Sequence, residues 1–113
     1  MIEHKGNILS IDGSKVSFDY PIEKTLEIKN AVIVLLESPI GKVFNKNIFA
    51  INKSAKILWQ VKEKDLYPGG LKDCPFVDIV INEEDQLVLF NWCSLAYIVN
   101  PETGEVLKEY ETR

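Results

Sequence analysis

The sequence is poor in the residues that most catalytic and metal centres use. It contains one histidine, His4, one arginine, Arg113, and six scattered glycines. A Ser/His/Asp or Cys/His centre needs an imidazole that is held in place, whereas we expect His4 to lie in a frayed terminus. The sequence has no GxxxxGK[ST] or GxGxxG phosphate-binding motif. We therefore predict that the protein is not an enzyme and that it has no metal site and no cofactor.

The scarcity of arginine also argues against nucleic acid as a partner. Arginine is the preferred residue for bidentate phosphate contacts, and a nucleic-acid-binding domain normally shows a basic face. Here residues 1–61 carry eight lysines against six acids (+2), and residues 62–113 carry five basic residues against eleven acids (−6). An acidic half fits a basic partner, often a protein. A solvated surface that needs no partner is the alternative.

No apolar run is long enough to span a bilayer. The longest, residues 31–36, has six residues, against the roughly 20 that a membrane helix needs. The first six residues lack the apolar core of a signal peptide, so we expect a cytoplasmic protein with no membrane partner. Cys74 and Cys93 do not form a CxxC pair. In a reducing compartment we predict two unpaired, small hydrophobic residues, with a disulfide as the less favoured alternative.

The chain is rich in alternating apolar residues separated by turn signals. The stretch 47–61 is organised as a hairpin, with arms at 48–51 and 56–61. An apolar residue followed by Asn opens the turn at Asn52, and the same pattern recurs at Asn82 and Asn100. Asp12-Gly13 opens a shorter version, because both residues tolerate a positive φ. Asn and Asp suit this place because their side chains bond the turn backbone.

These hairpins predict a single all-β domain over residues 1–113. The expected architecture is an antiparallel meander of hairpins that forms a β-sandwich or half-barrel. The run 31–37 is expected to be a central strand buried on both faces. Trp59 alternates with Ile57 and Val61, which indicates packing on a sheet face. The other predicted strands are 7–11, 15–20, 25–29, 76–82, 86–91, 95–99 and 105–110.

Two hairpins resemble the blade signature of quinoprotein-type β-propellers. The hairpin 48–59 has the aromatic-Ala pair, Asn52 and Trp59, but Ser54-Ala55 replaces the usual Thr-Gly. The hairpin 96–107 has Tyr97, Asn100 and Thr103-Gly104, with a lysine at the Trp position. A propeller needs at least about four blades, so a chain of this length shares the hairpin chemistry without the closed ring or its quinone cofactor.

The whole chain also resembles small bacterial immunity proteins of contact-dependent growth inhibition systems. The likeness is carried by size, acidity and the layout NIFAIN…ILWQ followed by LFNW…AYIVNPETGEV. It implies a cytoplasmic protein that binds and neutralises a cognate toxin domain, expected to be a basic nuclease such as an RNase. A β-domain scaffold for a non-toxin partner and a small-molecule binder are the alternatives.

The candidate contact surface is the irregular loop 62–75 together with nearby acidic turns. A structureless loop of this length is a common place for function. Exposed Trp and Tyr are enriched among interface hot spots. The predicted partner-binding residues are Asp65, Tyr67, Asp73, Asp78, Glu83, Glu84, Asp85 and Trp92. The three acids at 83–85 could hold a hard cation weakly, but we interpret them as a solvated turn.

Overall fold

The computed structural model describes residues 2–41, 44–62 and 74–112. In these residues the chain forms eleven antiparallel strands in three sheets, each a meander in which consecutive strands are neighbours. The strands of the first sheet are β1 (Ile2–Lys5), β2 (Ile8–Ile11) and β3 (Ser14–Ser17). Those of the middle sheet are β4 (Ile22–Ile28), β5 (Ala31–Leu36), β6 (Ile48–Asn52) and β7 (Ile57–Gln60). Those of the third sheet are β8 (Phe76–Ile81), β9 (Leu87–Asn91), β10 (Leu95–Val99) and β11 (Val106–Glu111).

The middle sheet lies between the other two because β5 is apolar on both faces. Its alternating side chains join two different cores. Ala31, Ile33 and Leu35 pack against the third sheet, and Val32, Val34 and Leu36 pack against the first sheet. All six residues are at most 1% exposed. The prediction of a layered all-β domain with a doubly buried central strand is confirmed.

The strand before β5, predicted over 25–29, begins three residues earlier and spans Ile22–Ile28. The pairing register shifts between Ile22 and Lys24, which marks a bulge at Glu23. This bulge changes the face that the apolar residues occupy. Ile22 packs toward the first sheet, whereas Leu26 and Ile28 pack toward the third sheet. The apolar residues of β4 therefore belong to two different cores, although they lie on a single strand.

The predicted role of Asn in the turns is confirmed. The side-chain oxygens of Asn52 and Asn82 each accept hydrogen bonds from the backbone N–H groups two and four residues further on, at 2.9–3.0 Å. Asn100 accepts one from Glu102 at 2.8 Å. Asn91, which the sequence analysis did not single out, makes the same pair of bonds at 3.0 Å. Asp12 and its neighbouring glycine both have positive φ, 47° and 92°.

The expectation of a frayed N-terminus is wrong for the described residues. Residues 2–5 form β1, which pairs with β2 so that Ile2 lies opposite Ile11 and His4 opposite Leu9. Ile2 packs on the core between the first and middle sheets. The side chain of His4 is nevertheless exposed. One partly buried apolar residue in a polar tetrapeptide is too weak a signal for a strand, which forms here because it pairs with β2 and packs Ile2 on the core.

The prediction that the two cysteines are unpaired is also wrong, because Cys74 and Cys93 form a disulfide. Phe76 lies opposite Asn91 in the β8–β9 ladder. Cys74 comes two residues before Phe76, and Cys93 comes two residues after Asn91. The two cysteines therefore lie opposite one another, with their Cα atoms 5.5 Å apart. This separation is typical of disulfides. Cross-strand register brings the pair together, and spacing along the sequence does not reveal it.

A buried amide, that of Asn47, connects the middle and third sheets. Asn47 is fully buried. Its side-chain nitrogen donates to the backbone oxygens of Leu36 and Phe76, both at 2.9 Å. Its side-chain oxygen accepts from the backbone N–H of Phe76, also at 2.9 Å. The amide thus pairs with the first residue of β8 as a neighbouring backbone would.

Trp59 forms a second connection between these sheets. It is 9% exposed, and its indole N–H donates to the backbone oxygen of Pro101 in the β10–β11 turn at 2.8 Å. Gly104, at φ +77°, lies against the indole face so closely that a Cβ there would be 2.7 Å from Trp59 Cδ2. The predicted sheet-face position of Trp59 is confirmed, and it depends on a glycine in the opposing turn.

Asn47→Ala is expected to lower the free energy of unfolding by about 3 kcal/mol or more, because it leaves three buried backbone groups without partners. Asn82→Ala is the matched control. It also removes an amide, but its turn is open to water, so the loss should be about 1 kcal/mol. Urea denaturation measures both. Equal losses would contradict the role given to Asn47.

Gly104→Ala is expected to be more destabilising than Gly13→Ala. Both glycines have a positive φ, which costs an alanine about 1–2 kcal/mol. At Gly13 nothing lies within 4 Å of the added Cβ. At Gly104 the Cβ meets the Trp59 ring, which adds about 1–3 kcal/mol of overpacking. Thermal unfolding followed by tryptophan fluorescence compares the two variants. A smaller loss at Gly104 would exclude the close contact.

Candidate functional site

Acidic residues are concentrated in the third sheet. Residues 74–112, which form this sheet and its turns, carry one lysine against eight acids, a formal charge of −7. The two halves of the sequence differ in charge, and in the fold this difference places the acidic residues in one layer, the third sheet. The third sheet is an outer layer, and all of its acids except the half-exposed Asp78 are exposed. They are Asp78, Glu83, Glu84, Asp85, Glu102, Glu105, Glu109 and Glu111.

The meander brings two acidic turns to the same end of the third sheet. The β8–β9 turn contains Glu83, Glu84 and Asp85, and the β10–β11 turn contains Glu102 and Glu105. Turns that are two strands apart in a meander emerge at the same end. All five side chains are exposed, and neither turn contains a lysine. We call these five residues the acidic end.

Two of these five residues were absent from the sequence-based prediction. Glu102 and Glu105 belong to the hairpin that repeats the pattern of the β8–β9 turn. Counting the predicted strands between the two turns would have located them, since an even number of strands returns the chain to the same end. The prediction instead followed proximity along the sequence.

The structure separates the other predicted residues. Trp92 is 71% exposed but lies in the β9–β10 turn, at the opposite end of the sheet from Glu83–Asp85. The five residues of β9 lie between the two positions, a separation of roughly 17 Å at about 3.4 Å per residue. Asp65, Tyr67 and Asp73 lie outside the described residues. The predicted set is therefore not one continuous patch within the described part of the chain.

Asp78 takes part in a contact within the protein. Its Oδ1 accepts from Lys24 Nζ at 2.8 Å and from the backbone N–H of Ile79, also at 2.8 Å. The pair links β8 to β4 and is about half exposed, at 47% for the aspartate and 43% for the lysine. A pair this exposed contributes at most about 1 kcal/mol. It nevertheless directs the carboxylate toward the middle sheet rather than toward a partner.

Trp92 is positioned by the disulfide beside it. Its backbone N–H donates to the backbone oxygen of Pro75 at 2.9 Å, which extends the β8–β9 ladder as far as the Cys74–Cys93 bond. Asn91 orders the turn from the other side through its bonds to Cys93 and Leu95. The indole therefore projects from a rigid turn, as an interface residue would.

The described residues do not form a metal-binding cluster. Nowhere among them do three His, Cys, Asp or Glu side chains converge as metal ligands would. His4 lines an open groove on the outer face of the first sheet, together with Glu3, Lys5, Ile8, Ser10 and Lys15. Ligand pockets are usually concave, whereas this groove is open, and all but one of the residues that line it are polar or charged.

The chain belongs to the family described as Domain of unknown function (DUF7957), whose model matches residues 1–110. No curated protein matches the sequence. Within the parts of the chain that are described, no helix has the length and apolar character needed to cross a membrane.

Reduction of the disulfide is expected to destabilise the protein without unfolding it. A cross-link that closes a loop of this length stabilises by about 3 kcal/mol in the chain-entropy model, while the β8–β9 ladder remains. Denaturant titration with and without a thiol reductant measures the difference. In the double variant Cys74→Ser/Cys93→Ser the reductant should have no effect. A reductant effect that persists in this variant would rule out the disulfide as its cause.

Proposed function

We propose that this protein is an immunity protein that binds a basic toxin domain and covers its active site with the acidic surface of the third sheet. The observation that carries the proposal is the formal charge of −7 on that sheet, in a fold whose other two sheets contain most of the lysines. A nuclease toxin suits this surface, because its substrate groove must attract phosphates. Carboxylates at the acidic end would occupy the places that phosphates take in the substrate.

Charge of this kind acts mainly on the rate and selectivity of association. A concentrated negative surface steers a positive partner and raises the on-rate by roughly 10- to 1000-fold. Like-signed proteins are rejected by the same field. Final affinity then requires apolar contacts, and Trp92 is a suitable anchor for a partner that extends along the sheet. The acids and the tyrosine predicted at 65–73 remain part of the proposed surface.

The proposal places the protein in the cytoplasm, where a nuclease toxin meets its substrate. Thiols are kept reduced there, which sets this location against the Cys74–Cys93 disulfide of the structure. The β8–β9 ladder and Asn47 hold the strands in place independently of that bond. The acidic end therefore does not need the disulfide, whereas the turn that carries Trp92 is closed by it.

The test is neutralisation of the protein encoded by the neighbouring gene. That protein is expressed with and without this chain, growth is recorded, and nuclease activity is titrated with the purified chain. Growth rescue and stoichiometric inhibition are expected. A neighbouring protein that is not toxic, or a toxin that this chain leaves active, would overturn the proposal.

Charge reversal then locates the surface. Glu83→Lys/Glu84→Lys is expected to slow association with the toxin by about tenfold or more at low salt, with a smaller effect at high salt. Glu3→Lys/Glu37→Lys is the matched control, because it makes the same change of charge at exposed positions outside the third sheet. Stopped-flow fluorescence measures the rates. Equal slowing by both variants would show an effect of net charge, and would exclude the acidic end as the contact surface.

A further inference from the structure

The Cys74–Cys93 bond lies outside the ladder that holds β8 and β9 together. The ladder joins the two strands from the Phe76–Asn91 pair to the Ile81–Leu87 pair, and neither cysteine belongs to it. The disulfide instead ties the β9–β10 turn, which contains Cys93, to the residues just before β8. Reduction is therefore expected to act on this turn while the ladder keeps its own hydrogen bonds.

The two cysteines differ in how open they are to a reagent. Cys74 is 5% exposed, and its backbone N–H donates to the side-chain oxygen of the buried Asn45 at 2.9 Å. Cys93 lies in the turn and is partly exposed. Thiol–disulfide exchange requires a thiolate to reach one of the two sulfur atoms. The difference in burial makes Cys93 the cysteine that an incoming thiolate can approach.

The turn that the disulfide ties down carries Trp92, which at 71% is the most exposed aromatic residue in the described part of the chain. The backbone N–H of Trp92 donates to the oxygen of Pro75, and that of Cys93 donates to the side chain of Asn91. Without the covalent link the turn depends on hydrogen bonds such as these, for which water competes. The state of the disulfide therefore controls how firmly Trp92 is held.

We propose that Cys93 is the site at which a dithiol protein of the CxxC class reduces the chain, and that the Cys74–Cys93 bond is a reversible switch for the Trp92 turn. The attacking thiolate bonds to Cys93 Sγ and breaks the Cys74–Cys93 bond, so that Cys74 leaves as a thiolate and takes up a proton. The second thiol of the reductant then attacks the mixed disulfide and releases Cys93. Two electrons and two protons pass to the chain, and the reductant is left with its own disulfide.

The switch regulates the toxin contact, and this part of the inference rests on the proposed function. The acidic end lies at the other end of the sheet from the bond, so electrostatic steering and the association rate are the same in both states. A turn that is already ordered loses less freedom on binding, so the complex dissociates more slowly when the bond is formed. A reversible bond also suits the cytoplasm, where disulfides are rare and commonly redox-sensing.

Trapping tests the site of attack. Oxidised wild-type protein is mixed with a thioredoxin-type protein whose second active-site cysteine is replaced by serine, which stops the reaction at the mixed disulfide. Peptide mass spectrometry is expected to find the trapped protein on Cys93. The variant Cys74→Ser/Cys93→Ser is the control and should trap nothing. Capture on Cys74, or no capture by the folded wild-type protein, would overturn the inference.

Hydrogen exchange tests whether the bond acts on the turn alone. After reduction by the intact thioredoxin-type dithiol, the amides of Trp92 and Cys93 are expected to exchange about tenfold or more faster, because the turn opens locally. The amides of Glu84 and Gln86, which bond to Asn82 in the β8–β9 turn, are the internal control and should not change. Equal acceleration in both turns, or none at Trp92 and Cys93, contradicts the switch.

Binding to the toxin tests the regulatory role. Reduction is expected to raise the dissociation rate of the complex by about tenfold and to leave the association rate unchanged. In Trp92→Ala the dissociation rate should no longer respond to reduction. A wild-type dissociation rate that is equal in both states would exclude this role. Trapping and hydrogen exchange need no toxin, so they decide on the switch itself even if the toxin assignment fails.

Discussion

The buried amide of Asn47 is the constraint on which the arrangement of the sheets depends. It satisfies backbone groups of Leu36 in the middle sheet and of Phe76 in the third sheet at the same time. Apolar packing alone would allow the two sheets to slide, because it has little directional preference. An unsatisfied buried amide is costly, so Asn47 selects one position of β8. The packing of Trp59 on Gly104 and the ion pair of Lys24 with Asp78 also fix the third sheet relative to the middle sheet.

The position of the third sheet determines where the charges of the protein lie. The central strand of the middle sheet is covered on both faces, and the third sheet lies on one side of it. Most lysines belong to the first and middle sheets and their turns, whereas all but one of the charges in the third sheet are negative. The acidic end continues directly into β11, since Glu105 precedes its first residue.

Much of the architecture could be predicted from the sequence, because its signals are local. The Asn that opens each turn bonds backbone groups within four residues, and Asp12-Gly13 needs only its own backbone angles. The six consecutive apolar residues of β5 can all be removed from water only if both faces of the strand are buried. Strand β1, the disulfide and the role of Asn47 could not be predicted in this way. Each depends on a partner that is distant in sequence or on a register that the pattern does not specify.

The candidate site also combines features that the sequence determines locally with features that depend on contacts between distant residues. The sequence by itself determined an all-β meander, the turns that join its strands and a surplus of acid in its second half, since these depend on near neighbours and on composition. Only the tertiary structure decided which acids share an end, that Asp78 faces Lys24 and that Trp92 lies at the far end. The reason is physical. The number of strands between two turns sets the end of the sheet at which each turn emerges, and the packing of β8 beside β4 brings Asp78 to Lys24.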